Sequence, residues 1–154
     1  YKEEIMESKE QILEKARARG QAKGLSYSGE LTPREAFDML QQDPSTILVD
    51  VRSRAELELV GKVPTATHLE WAFYPGMLPN HAFAGQLEAQ INKNLTVIFM
   101  CRTGGRSHNA AMLAKELGYQ QVYNMLEGFE GEANSLHQRT LTNGWKHAGL
   151  PWHN

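Results

Sequence analysis

Apolar residues recur along the chain with two different periods, and the alternation between them outlines the fold. Residues 2–19 place Ile5, Met6, Ile12, Leu13 and Ala16 on a narrow stripe among alternating Lys, Arg and Glu, which predicts a charged helix ended by Gly20 and Gly24. Two heptads are too few to define a coiled coil, so the segment reads as an arm packed on the body, with an oligomerisation helix as the alternative. Thr32-Pro33-Arg34-Glu35 joins an N-cap, a proline at the first helical position and a capping-box acid, opening a helix to Gln42 whose apolar residues are Ala36, Phe37, Met39 and Leu40. Asp43-Pro44-Ser45 breaks it, and residues 46–51 form a β-branched run of the kind found in buried strands. Ser53-Arg54-Ala55-Glu56 repeats the capping box ahead of a short helix to Val60, closed by Gly61.

Beyond Pro64, a short strand is expected at 66–69, followed by the aromatic residues Trp71, Phe73 and Tyr74 and a turn at Pro75-Gly76. Residues 82–91 read as a helix, 95–100 as a central strand, 107–117 as a helix stopped by Gly118, and 121–124 as a further strand. Strands alternating with helices imply an α/β fold, a parallel sheet covered on both faces. In such sheets ligands bind beyond the carboxyl ends of strands, where the segment 101–106 falls.

Composition narrows the chemistry. The 154 residues hold 16 Lys+Arg against 18 Asp+Glu, a net charge of -2 that supplies no global basic field, so nucleic acid is not the expected partner. No run approaches the roughly 18 apolar residues of a membrane span. The six histidines lack HxH, HxxxH or HExxH spacing, and with one cysteine they make no credible metal set; no cofactor is expected. A single thiol also excludes an internal disulfide or a paired redox motif. That composition suits a reducing compartment, so cytoplasm is the expected location; because the chain begins with Tyr1, a removed signal peptide and a periplasmic location stay open.

The chemistry concentrates in Met100-Cys101-Arg102-Thr103-Gly104-Gly105-Arg106-Ser107, a thiol between a strand end and a helix start. Paired glycines let successive N–H groups curl inward into an anion-binding nest, the helix from Ser107 adds the positive end of its dipole, and Arg102 and Arg106 add two charges. Each favours thiolate over thiol, so Cys101 is expected to be a nucleophile with an oxyanion site beside it.

The sequence over 31–131 resembles the rhodanese family of sulfurtransferases. The resemblance rests on Leu31-Thr32-Pro33, Leu48-Val49-Asp50-Val51-Arg52, Glu56, Gly61-Lys62-Val63-Pro64, the Cys101-to-Ser107 loop and the glycine-rich Leu126-Glu127-Gly128-Phe129-Glu130-Gly131. It implies a central five-stranded parallel sheet with helices on both faces, here with a helical extension over 1–30 and an added tail over 132–154. It implies that Cys101 carries sulfane sulfur as a persulfide, that the loop from Arg102 to Ser107 binds substrate, and that Asp50 and Arg52 support the fold around it. The implied partners are a small anionic donor such as thiosulfate and a thiol, protein or cyanide-like acceptor. Departures occur at Lys62-Val63-Pro64-Thr65-Ala66, where the family commonly has His-Ile-Pro-Gly-Ala, and in the tail ending in Trp152. Both leave substrate preference open.

Two rival readings remain. A cysteine phosphatase or arsenate reductase on a related scaffold needs Cys-x5-Arg to surround a tetrahedral oxyanion, and here Arg106 stands one position too early. A protein-binding or redox-sensing module would leave the thiol incidental. Around the loop, Glu56 is read as a capping acid with pairing to a nearby Arg as the alternative, His108 as an ordinary helix residue with modulation of the thiolate as the alternative, Ala110, Ala111 and Ala114 as close-packing positions, and Trp71, Phe73 and Tyr74 as either pocket wall or packing.

Overall fold

The computed structural model describes residues 6–154. The first element is α1 (Lys9–Lys23), opened by a reciprocal capping box between Ser8 and Gln11 and closed at Gly24 in the left-handed conformation. Then follow β1 (Gly29–Leu31), α2 (Pro33–Gln42), β2 (Thr46–Asp50), α3 (Arg54–Val60), β3 (Thr67–His68), β4 (Ala72–Phe73), β5 (Leu78–Pro79), α4 (Phe83–Gln90), β6 (Thr96–Met100), α5 (Gly105–Glu116) and β7 (Gln121–Met125). Thr32 and Ser53 cap α2 and α3 as their sequences predict, each in a capping box with the glutamate three residues on.

Five strands form one parallel sheet in the order β1-β7-β6-β2-β3, which puts β6 at its centre. Alternation along the strands sorts the core into two layers. Leu48, Ile98, Met100, Tyr123 and Met125 face one side, against Ile12, Leu13 and Ala16 of α1, Ala36 and Met39 of α2, and Trp145 of the tail. Val49, Val97, Phe99 and Val122 face the other, against Phe83 and Leu87 of α4 and Ala110, Ala111 and Ala114 of α5. Cys101 continues the second register, so its side chain belongs to the α5 side. The small alanines let α5 lie close to the sheet, bringing its first turn to the end of β6.

Several boundaries differ from the sequence pattern. Residues 2–5 of the expected first helix, including Ile5, lie outside the described residues; Met6 is exposed and precedes the helix. Gly20 does not end α1 but lies inside it, and glycine is needed there because a Cβ would come within 2.7 Å of the Ser28 carbonyl where the chain doubles back. Glu35 is tied to Arg19 and Lys15 of α1; burial opposes its ionisation, yet those cations and the Thr32 amide hold it down at about 2. Strand β1 carries no alternating signal and straddles the residue 30/31 boundary; it is defined by pairing with β7. Strands β4 and β5 form a hairpin in place of a simple turn, with a cis Tyr74–Pro75 peptide at its tip. Helix α5 starts at Gly105, two residues ahead of the expected start.

The tail is packed, not loose. Trp145 is 1% exposed, donates its indole N–H to the Pro151 carbonyl and meets Phe37 edge-on. Lys62 and His153 form a two-residue antiparallel bridge, and Trp152 covers Gly61. Among the described residues no helix is long and apolar enough to cross a membrane.

Candidate active site

Strand β6 is buried throughout and apolar from Val97 on, and its last peptide delivers Cys101 to the carboxyl edge of the sheet. The thiol is 1% exposed. Two donors converge on its sulfur: the Gly104 N–H at 3.1 Å and the Ser107 hydroxyl at 3.3 Å. Gly104 is the N-cap of α5 and Ser107 lies in its first turn, so the sulfur sits at the positive end of a 12-residue helix. Both donors and the helix end face the same sulfur, a setting that stabilises negative charge developing on it.

The glycine-rich segment after β7 is the loop's other support. Phe129 N–H donates to the Cys101 carbonyl at 2.8 Å, and the Glu130 and Gly131 N–H groups donate to the Arg102 carbonyl at 3.1 and 3.3 Å. Gly128 touches the Arg102 backbone so closely that any Cβ would collide with its carbonyl, and its φ of 73° adds a second reason for glycine.

Charges expected beside the sulfur are distributed unequally. Arg106 is turned to Glu56 in a two-pronged ion pair of 2.7 and 2.9 Å. Burial alone would raise the Glu56 carboxyl, but Arg106 and the Ser53 amide outweigh it and hold Glu56 at about 2; the same pairing raises Arg106 against its own desolvation. Glu56 is thus both the capping acid of α3 and the anchor of the loop, where the sequence reading needed only the cap. Arg102 is exposed and engages no side-chain partner among the described residues, leaving it as the uncompensated cation of the loop. Thr103 and Gly105 are exposed.

Asp50 and Arg52 form a closed unit at the neighbouring strand end. Asp50 accepts from the Arg52 Nε, Nη2 and backbone N–H, and Arg52 also donates to the Gly61 carbonyl at 2.9 Å. Its guanidinium lies 4.1 Å from the Phe129 ring centroid. One arginine therefore ties β2 and the end of α3 to the segment that cradles the cysteine loop.

A cavity of about 400 Å³ opens beside the loop, lined by Glu56, Val60, Tyr74, Met77, Arg102, Arg106 and Glu130. Tyr74 is a wall of this cavity, whereas Trp71 packs edge-on against Phe83 and Phe73 lies in a separate depression. A larger cavity of about 470 Å³ adjoins the opposite face of α3, around Arg54, Glu58, Lys62 and His68. The smaller one borders the cysteine loop through Arg102 and Arg106; the larger one does not touch that loop. Sequence reasoning missed Asn124, whose Nδ2 donates to the Gly104 carbonyl at 3.2 Å, and Tyr27, whose hydroxyl lies 2.6 Å from His108 Nδ1. The visible signal for Asn124 was an amide between the apolar residues Val122, Tyr123 and Met125.

A strand-end cysteine, a short loop and a helix N-terminus on a five-stranded parallel sheet define an α/β domain with one buried thiol at the carboxyl edge of its sheet. The Rhodanese-like domain profile matches residues 32–134, and the chain belongs to that family. The crystal structure of Rv0390 from M. tuberculosis is similar to it, with TM-score 0.76 and 38% identity, over 82% of this chain and 98% of that one. An uncharacterized protein of Rickettsia conorii is 33% identical over 120 residues, 77% of this chain and 91% of the relative. Thiosulfate sulfurtransferase GlpE of Haemophilus influenzae is 33% identical over 102 residues, 66% of this chain and 85% of the relative.

Proposed function

We propose that the protein is a sulfurtransferase that carries sulfane sulfur as a persulfide on Cys101. The observation that carries the reading is the convergence of the Gly104 amide and the Ser107 hydroxyl on the Cys101 sulfur at the start of α5. In the first half-reaction the thiolate attacks the outer sulfur of a donor such as thiosulfate. A new S–S bond forms, the donor's S–S bond breaks, and sulfite leaves with the electron pair. In the second, an external nucleophile, a thiol or cyanide, attacks the terminal sulfur and the Cys101 thiolate departs. With no second thiol in the chain, the persulfide has no intramolecular route to a disulfide and waits for that acceptor. Exposed Arg102 at the cavity suits an anionic donor, and the mixed apolar and polar walls suit a thiol with an organic body.

Intact-protein mass spectrometry after thiosulfate treatment tests this. One added sulfur atom, removed by a reductant and absent from Cys101→Ser, is the expected result. A chain that stays unmodified by thiosulfate and by other persulfide donors overturns it.

A further inference from the structure

Asn124 is an oddity in β7. It is 4% exposed, paired in register with Phe99 of β6 and Glu30 of β1, and flanked by buried Val122, Tyr123 and Met125. Its Nδ2 has the Gly104 carbonyl, but its Oδ1 has no hydrogen-bond partner. A half-satisfied buried amide destabilises a strand that an apolar side chain would fill better, and such local conflicts mark residues kept for a site. The Gly104 carbonyl also accepts the His108 N–H at 3.1 Å, the first helical bond of α5. Both donors fix the residue whose own N–H points at the Cys101 sulfur. The His108 ring is fixed in turn by Tyr27, through the 2.6 Å contact with Nδ1 and an edge-on ring contact with centroids 5.5 Å apart. Tyr27 is buried and precedes the segment matched by the family profile, so the connection between α1 and β1 reaches the reactive loop.

We infer that Asn124 is a positioning residue that aims the Gly104 amide at the Cys101 sulfur, and that Tyr27 acts in the same sense through His108. The reaction named here rests on the sulfurtransferase reading; the positioning does not.

Asn124→Leu removes the donor at similar size and also the orphaned oxygen, while Tyr27→Phe removes only a hydroxyl. Four readouts apply: the Gly104 amide in ¹⁵N-labelled protein, the rate of Cys101 alkylation by iodoacetamide, kcat and KM with thiosulfate, and the denaturation midpoint. In Asn124→Leu the Gly104 amide should shift, and alkylation and kcat should fall about 3- to 10-fold, the loss of one hydrogen bond. KM should hold and the midpoint should stay or rise, a combination that a purely structural residue does not give. Tyr27→Phe should move the same readouts in the same direction by less, and it serves if Asn124→Leu does not fold. A Gly104 amide and an alkylation rate unchanged in both variants overturn the inference; an effect confined to Tyr27→Phe overturns the role of Asn124. If the unsubstituted protein forms no persulfide, the sulfurtransferase reading fails, while the amide and alkylation readouts still decide this one.

Discussion

The carboxyl ends of β2 and β6 lie side by side, Asp50 opposite Met100, and the chain treats them in opposite ways. At β2 the charges are consumed internally: Asp50 and Arg52 are 1% and 0% exposed, and each oxygen of the acid is taken by the same arginine. At β6 the polar groups are aimed at a single sulfur, and the nearest exposed cation is left unengaged. The Glu56–Arg106 pair lies between these extremes, with side chains about one-fifth exposed. A closed charge pair supplies rigidity and nothing a ligand can use; open donors supply chemistry only if rigid neighbours hold them. Arg52, stacked on Phe129, is how the first end serves the second.

The largest effect should come from Cys101→Ser. Persulfide formation and thiosulfate turnover should fall to background, while stability in urea changes by no more than about 1 kcal/mol, since a hydroxyl replaces the thiol in place. Turnover retained by this variant would move the chemistry away from the open end altogether.

Next comes the closed end. Arg52→Met leaves Asp50 buried without its partner, which costs about 3–5 kcal/mol, whereas Asp50→Leu combined with Arg52→Met removes both charges and should recover much of that loss. Urea unfolding of the two single variants and the double gives the coupling directly. Additive losses would show that the pair is not the closed unit described here.

Glu56→Gln tests the intermediate pair. The Glu56 carboxyl is near 4.5 in the unfolded chain and at about 2 when folded, so its stabilisation is complete above pH 4.5 and lost as pH falls through 2. At neutral pH the difference amounts to about 3 kcal/mol. The variant should be less stable by about that much at pH 7 and should flatten the stability profile between pH 4.5 and 2, leaving the share carried by Glu35, which has the same window. An undiminished acid slope would assign that slope to other carboxylates.

The sequence made the elements around the reactive loop legible for a physical reason: their signals are local. Capping boxes at Thr32 and Ser53, the apolar run before Cys101 and the glycines after it are each read within a few residues. What was missed depends on contacts distant in sequence. Strand β1 exists because β7 lies beside it, a glycine stands inside α1 at Gly20 because the chain returns over it, and Trp145 is core because Phe37 and Pro151 enclose it. The site follows the same division. Cys101, Gly104 and Ser107 were evident from one loop, but the choice between a capping Glu56 and one paired with an arginine was not, because its partner Arg106 lies 50 residues away; that contact turns one of two expected free cations into an anchor.

The smallest expected effect concerns the cation that remains. Arg102 is exposed, so replacing it with Ala should leave stability within about 0.5 kcal/mol. Its attraction for an anionic donor acts across water, a setting where charge pairs contribute roughly 0.3–1 kcal/mol, which corresponds to about a 2- to 5-fold rise in KM for thiosulfate with kcat unchanged. Because such an interaction is screened, raising salt from low to molar ionic strength should increase KM in the unsubstituted protein and do little in Arg102→Ala, bringing the two together. Arg106→Ala should behave differently, losing stability through the abandoned Glu56 and responding weakly to salt. A KM insensitive to both Arg102 and salt would mean that donor recognition rests on the backbone amides of the loop alone, and that the open end needs no side-chain charge.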